Sequence, residues 1–236
     1  GRPRARAVWH LDVEPSGAVV AVGDVVGPAD PPWRYELGLG WEPLQLPPGE
    51  ARLGAALATS PETGRALLIG GETMGGTAIS AIAEVGAVEA AWEPAGAPVA
   101  RSGALAVADP SHGTVWVIGG NSLGATDPVV ALDTQKRAWL TQVPSGPGWL
   151  TGAAGTFTTD NAGASRILVF GGREEDVVTA RVWVLELDVG GWTPLDLPGP
   201  APRHSPALAT SGAGVILLMG GFDGAGSALH DAWRLE

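Results

Sequence analysis

Cysteine is absent from the 236 residues, which excludes disulfides, thiolate metal sites and a cysteine nucleophile. Lysine is nearly absent: Lys136 stands alone, and the other thirteen basic residues are Arg against 25 Asp and Glu, for a net charge of −11. No basic block interrupts that acidic balance, which argues against a phosphate-tracking nucleic-acid surface. Charged residues are scarce at 17% and apolar residues abundant at 45%, the reverse of a disordered chain. No apolar run approaches the roughly 20 residues of a membrane span, and no signal-peptide pattern opens the chain, so membrane insertion is not expected. Neither Asn121 nor Asn161 starts a glycosylation sequon, and with the missing Cys this leans towards a cytoplasmic location. A first residue Gly1 in place of Met reads as an excised piece of a longer chain.

What is abundant is glycine, 36 of them, and much of it is periodic. Four segments match: Arg65 to Gly71 (RALLIGG), Thr114 to Gly120 (TVWVIGG), Arg166 to Gly172 (RILVFGG) and Val215 to Gly221 (VILLMGG). Their first glycines, Gly70, Gly119, Gly171 and Gly220, lie 49, 52 and 49 residues apart, and a weaker copy ends at Gly23-Asp24, 47 residues before Gly70. A period of about fifty residues marks a repeat architecture.

Each copy has the same internal order. A first strand-like stretch leads through a Gly, Pro or Asp turn into the apolar run, as in AALATS-PETG-RALLIG, which is the signature of a hairpin. The apolar run lacks polar alternation, so burial of both its faces is expected. A third strand follows about 10 residues later (Arg34 to Leu37, Ile82 to Val85, Val129 to Leu132, Val182 to Leu187, Ala232 to Leu235). About 20 residues after the glycines a tryptophan opens a fourth: Trp41, Trp92, Trp139 and Trp192. Because these four recur in register, packing explains them better than ligand binding. No stretch of ten residues holds a 3.6 period free of Gly or Pro, so the expected class is all-β, with four antiparallel strands per unit.

The Gly-Gly pairs, the third-strand aromatics Tyr35, Trp183 and Trp233, and the trailing tryptophans resemble the kelch-repeat β-propellers almost end to end. The resemblance implies four-stranded blades, here about 3–46, 50–97, 100–143, 150–197 and 202–236, in a ring of six or seven closed by strands from both termini. The first copy departs from the pattern with Asp24 after its glycine, and the second and third lack the third-strand aromatic. The fifth copy stops 15 residues after Gly221, before its outer strand, which suggests part of a longer chain or a multi-subunit assembly.

Strand alternation places the links between second and third strands on the same face as the links between blades. In kelch proteins that loop face commonly receives a partner peptide, and loops on a rigid scaffold carry function. Candidate contacts on it are Arg101, Trp149, Arg173, Glu174, Asp176 and His204. Arg173-Glu174-Glu175-Asp176 is its densest charged loop, readable as a solvated turn or a partner contact. Trp149, in a Gly/Pro-rich connector, has no counterpart in the other copies. Arg52, Arg101 and Arg203 open successive blades, with Thr151 standing in for the fourth; repetition suggests hydrogen bonding between blades, although arginines at a channel mouth can also grip a carboxylate. His10, His112, His204 and His230 are scattered without metal-ligand spacing, and Asp160 to Gly163 reads as a hairpin turn. No catalytic elbow, P-loop or dinucleotide fingerprint is present, and no cofactor is expected. A copper site built on a Cys-crosslinked Tyr, as in oxidase relatives of this fold, is excluded by the missing Cys. The leading expectation is therefore a protein-interaction module binding a protein or peptide. The alternatives are a lyase, isomerase or hydrolase working in the central channel, and a structural subunit pairing through an open blade edge.

Overall fold

The structure, a computed structural model, describes residues 9–23, 25–26, 31–46, 52–87, 91–96, 100–122, 127–160, 162–196, 198–211 and 214–235. All regular structure among them is β. Asp24 and Asn161 lie outside the described residues. The first blade is a meander of Trp9–Val13, Val19–Gly23, Trp33–Glu36 and Gly40–Pro43, each strand antiparallel to the last. The second has Ala56–Thr59, Ala66–Ile69 and Ile82–Glu84, with Trp92 bridging to Ile82 where a fourth strand would run. Blade three comprises Leu105–Asp109, Thr114–Ile118, Val129–Asp133 and Ala138–Trp139. Blade four comprises Ala154–Thr159, Ser165–Phe170, Val182–Glu186 and Gly191–Leu195. Blade five shows three described strands, Ala207–Thr210, Ile216–Met219 and Ala232–Leu235.

The hairpins close where side chains substitute for ladder bonds. Asp109 accepts from the backbone N–H groups of Ser111 and His112, and Asp160 from those of Ala162 and Ala164. These are Asx turns, which is why Asp sits there. The second strands then carry the core, because their alternate residues face opposite neighbours. In blade two, Ala66 and Leu68 pack towards blade one, while Leu67 and Ile69 pack towards blade three. In blade three, Val115 and Val117 look back, and Trp116 and Ile118 look forward. In blade four, Ile167 and Val169 look back, and Leu168 and Phe170 forward. Each of four apolar clusters thus joins two consecutive blades, as expected for a quasi-one-dimensional repeat protein.

Three of the four register tryptophans sit in these clusters, Trp92 and Trp139 between blades two and three and Trp192 between three and four. Their Nε1 atoms have no hydrogen-bond partner among the described residues, so the rings act as apolar bodies. Trp192 meets Trp116 edge to face at 6.5 Å, and Trp41 tilts against Tyr35 at 5.2 Å. In blade five the expectation of burial on both faces fails: Ile216 and Leu218 are buried against blade four, but Leu217 and Met219 are exposed. Apolar character was legible there; the presence of a covering neighbour was not.

The Gly-Gly pairs are the joints between blades. The second glycine donates its N–H to the first residue of the next blade: Gly71 to Arg101 O at 2.7 Å, Gly120 to Leu150 O at 2.7 Å, and Gly172 to Arg203 O at 2.9 Å. The first glycine turns with φ near +65°, and a Cβ on Gly70 or Gly171 would come within 2.5 Å of the carbonyl oxygen of Arg101 or Arg203. A second belt of bonds links the blades two residues further on: Gly103 N–H to Gly54 O, Gly152 N–H to Gly103 O, and Ser205 N–H to Gly152 O.

Candidate functional site

That belt fixes the register of the connectors and corrects one sequence assignment. Gly54, Gly103, Gly152 and Ser205 are equivalent, so the residue two positions earlier is Arg52, Arg101, Leu150 or Arg203. Leu150, not Thr151, occupies the arginine position of blade four; Thr151 pairs with Arg173 one step later, where Leu53 bridges Glu72, Ser102 bridges Asn121 and His204 bridges Phe222. Leu150 lies 21 residues before Gly171, whereas Arg52 and Arg101 lie 18 before Gly70 and Gly119, so counting back from the glycine pair does not reach it.

The three arginines share a structural task. Arg52 donates to the carbonyls of Gly70 and Ala81, Arg101 to those of Gly119, Pro128 and Asp127, and Arg203 to those of Gly220 and Ala201. Arg52 and Arg101 therefore tie their blade's second strand to the loop that follows, and Arg203 ties its own to the connector. Arg101 is 1% exposed, and burial pulls its pKa down to about 10, so it still carries its charge at neutral pH. Arg203 adds a bidentate ion pair with Asp231, whose carboxyl these bonds and the Trp233 indole N–H hold well below the usual carboxylate range. Burial of Arg101 changes its part in the site: its guanidinium is occupied by backbone, and its outer face lies 5.3 Å beneath the Trp149 ring. Arg101 supports Trp149 rather than presenting charge to solvent.

Leu150–Thr151 pairs with Arg173–Glu174, which pairs in turn with Val177–Val178, so the connector and the charged loop form one small sheet on the blade-four rim. Glu174 and Val177 are opposed, leaving Glu175 and Asp176 as a two-residue hairpin turn. Both have positive φ, 46° and 67°. This is the type I′ geometry, which favours Asn-Gly because most side chains strain there. The equivalent loops of blades two and five place glycines, Gly76 and Gly226, at their positive-φ positions. The double variant Glu175→Asn/Asp176→Gly keeps the turn and relieves the strain. It should gain about 1 to 2 kcal/mol in urea unfolding; unchanged or reduced stability would remove strain from the account.

Arg173 projects from this sheet to His204, its Nη2 2.9 Å from Nε2. A guanidinium can only donate, so Nε2 accepts, and Nδ1 carries the proton towards Ser205 Oγ at 3.2 Å. The ring stacks on Phe222 at 5.6 Å. Burial, and then the Arg173 charge, push the His204 pKa below its usual value against the opposing pull of Asp223. A lowered folded pKa means that stability from the neutral ring is present at neutral pH and is lost as pH falls. NMR titration of His204 should give a pKa below about 6.5, rising in Arg173→Gln; a wild-type value above the reference would refute the Arg173 bond.

Glu174 reaches over Gly148, where a Cβ would come within 2.5 Å of its Oε1, and lies 3.6 Å from Arg181. Glu175 and Asp176 are exposed at the tip, and Trp149, next to Leu150 in the chain, is half-buried. Arg101, Trp149 and His204 thus lie on three successive connectors and Arg173, Glu174 and Asp176 on the blade-four hairpin; Arg101 meets Trp149, and Arg173 meets His204. Sequence reasoning missed Leu150, Ser205 and Phe222, which shape the same rim. Among the described residues no group of three or more His, Asp or Glu could hold a metal ion, and no helix is long and apolar enough to cross a membrane.

Stacked four-stranded antiparallel sheets joined at Gly-Gly turns, with a loop rim of paired connectors, define a protein of propeller blades. Residues 54–236 match the family described as the KLHDC2/KLHL20/DRC7 Kelch-repeats domain. The chain belongs to that kelch-repeat family. No curated protein matches it.

Proposed function

We propose that this chain binds a partner protein or peptide through the blade-four rim. Kelch-repeat domains are generally protein-interaction modules and typically not enzymes. One observation carries it: the tip holds two successive non-glycine residues, Glu175 and Asp176, at positive φ, where the longer loops of blades two and five have a single positive-φ residue, a glycine. Backbone strain that the surroundings over-determine clusters at recognition sites. The connectors beside this hairpin carry an aromatic ring backed by a buried arginine, and the hairpin's own cation, Arg173, is held by a neutral histidine. A partner that fits would set an apolar group on Trp149 and basic side chains against Glu175 and Asp176.

The turn variant Glu175→Asn/Asp176→Gly keeps the hairpin and removes both charges, so it separates recognition from folding. Wild type, this variant and Trp149→Ala would be immobilised and exposed to lysate, with captured proteins identified by mass spectrometry. The expected result is a protein retained by wild type and depleted at least tenfold by both variants, each melting no lower than about 5 °C below wild type. A partner retained equally by all three, or none at all, overturns the assignment.

A further inference from the structure

Arg173, His204 and Ser205 form a polar array between blades four and five. The imidazole is held in place, because the His204 backbone pairs both ways with Phe222 and the two rings stack. Nε2 lies 2.9 Å from Arg173 Nη2, and Nδ1 lies 3.2 Å from Ser205 Oγ. Ser205 stands at φ 52°, in the belt position that Gly54, Gly103 and Gly152 occupy on the other connectors. A serine there bears strain that glycine avoids. What it adds is a hydroxyl that accepts the Nδ1 proton and leaves Nε2 as the lone pair that Arg173 needs.

The charges that face the ring come from two sides. The blade-four hairpin brings Arg173, while Glu174, next on that strand, turns to Gly148 and Arg181. The blade-five loop brings Asp223, which acts on the ring electrostatically. On the ring's own connector, Arg203 is buried and committed to Gly220 O, Ala201 O and Asp231. The neighbouring connector approaches at Gly152 and brings no charge.

The two protonation states choose opposite partners. Neutral, the ring accepts from the guanidinium at Nε2. Protonated, both ring nitrogens donate, and two positive charges would face each other at 2.9 Å, so the Arg173 bond cannot survive. Asp223 is then the favourable neighbour. Burial, and then the Arg173 charge, hold the ring pKa below its usual value, so the neutral arrangement prevails at neutral pH and is lost as pH falls.

We propose that this array is a proton-operated latch on the blade-four rim: protonation of His204 expels Arg173 and turns the ring's charge towards Asp223. Its effect on binding rests on the rim being the binding surface proposed above; the latch itself does not. The imidazolium and the released guanidinium add positive charge beside the hairpin that carries Glu174, Glu175 and Asp176. A basic partner held by those acids is therefore weakened as pH falls.

Heteronuclear NMR of the full chain tests the latch without any partner, between about pH 7.5 and about pH 5. The Arg173 side-chain N–H signals and the His204 ring nitrogens are expected to change together, with one midpoint. His204→Gln offers Arg173 an amide oxygen that does not take up a proton, so its Arg173 signals should stay in the bound position throughout. Ser205→Ala keeps the backbone but frees the ring tautomer, and part of the bound Arg173 signal should be lost already at the upper pH. Arg173 signals that ignore the His204 midpoint, or that move equally in His204→Gln, overturn the latch. The effect on binding is read by fluorescence polarisation with a labelled peptide that carries a leucine between arginines. Wild-type affinity should fall about fivefold or more from the upper to the lower pH, and that of His204→Gln much less. Equal falls overturn the switch at the binding surface. A peptide that binds at neither pH overturns the rim assignment instead, and the Arg173 signals still decide the latch.

Discussion

Gly119→Ala is expected to lose about 3 kcal/mol or more of stability in urea unfolding, and with it much of the native population. Two costs add. Gly119 sits at φ 69°, where an L side chain is strained by about 1 to 2 kcal/mol. Its Cβ would also fall inside the carbonyl oxygen of Leu150 and 2.7 Å from the Leu150 nitrogen, where neither neighbour can move. Leu150 is held by the Gly120 N–H and by pairing with Glu174, so relief means shifting blade four against blade three, at a further cost of about 1 to 3 kcal/mol. Gly113→Ala is the matched control: its φ is 68°, but an added Cβ meets nothing within 4 Å. That variant should lose only the conformational part, about 1 to 2 kcal/mol. Equal losses at the two sites would show that close approach between blades does not set the glycine requirement.

Arg101→Met should cost about 3 kcal/mol, because three carbonyls of blade three lose a charged donor in a site closed to water. Methionine fills much of the volume, so the loss reports the hydrogen bonds more than a cavity. Arg101→Lys keeps the charge, but one ammonium cannot span Gly119 and both residues at 127–128, and it should recover less than half of the loss. Both variants should also free the Trp149 ring, seen as a red-shifted emission against a Trp149→Ala background. Full recovery by lysine would mean that charge alone is needed and that the planar fork is not.

Some of this was legible in the residues because it is local and periodic. Apolar runs ending in glycine pairs name the second strands, and the tryptophans that follow at constant distance fall into the inter-blade clusters. A strand's side-chain period of two, imposed on a run without polar breaks, requires neighbours on both sides, so stacked blades follow from sequence. Glycine pairs follow as well, since the crossing backbone of the next blade leaves no room for a Cβ.

The rest depends on contacts between segments whose spacing varies. Thr151 fills the arginine position in the sequence alignment, yet the bond from Gly152 to Gly103 places Leu150 there. Arg101 carries the same charge buried or exposed, and only the folded loop at 127–128 turns its guanidinium inward. Arg173 and His204 are 31 residues apart and meet because two connectors share a rim. Glu175 and Asp176 look like any solvated acidic turn until their φ values separate them from the glycine turns of the sister blades. Leu217 is indistinguishable by residue type from Leu67, and the difference between 45% and 2% exposure lies wholly in whether another blade stands beside it. Sequence determined the blade, because burial periodicity and backbone sterics act within about fifty residues; only the tertiary structure decided which faces and which charges remain free.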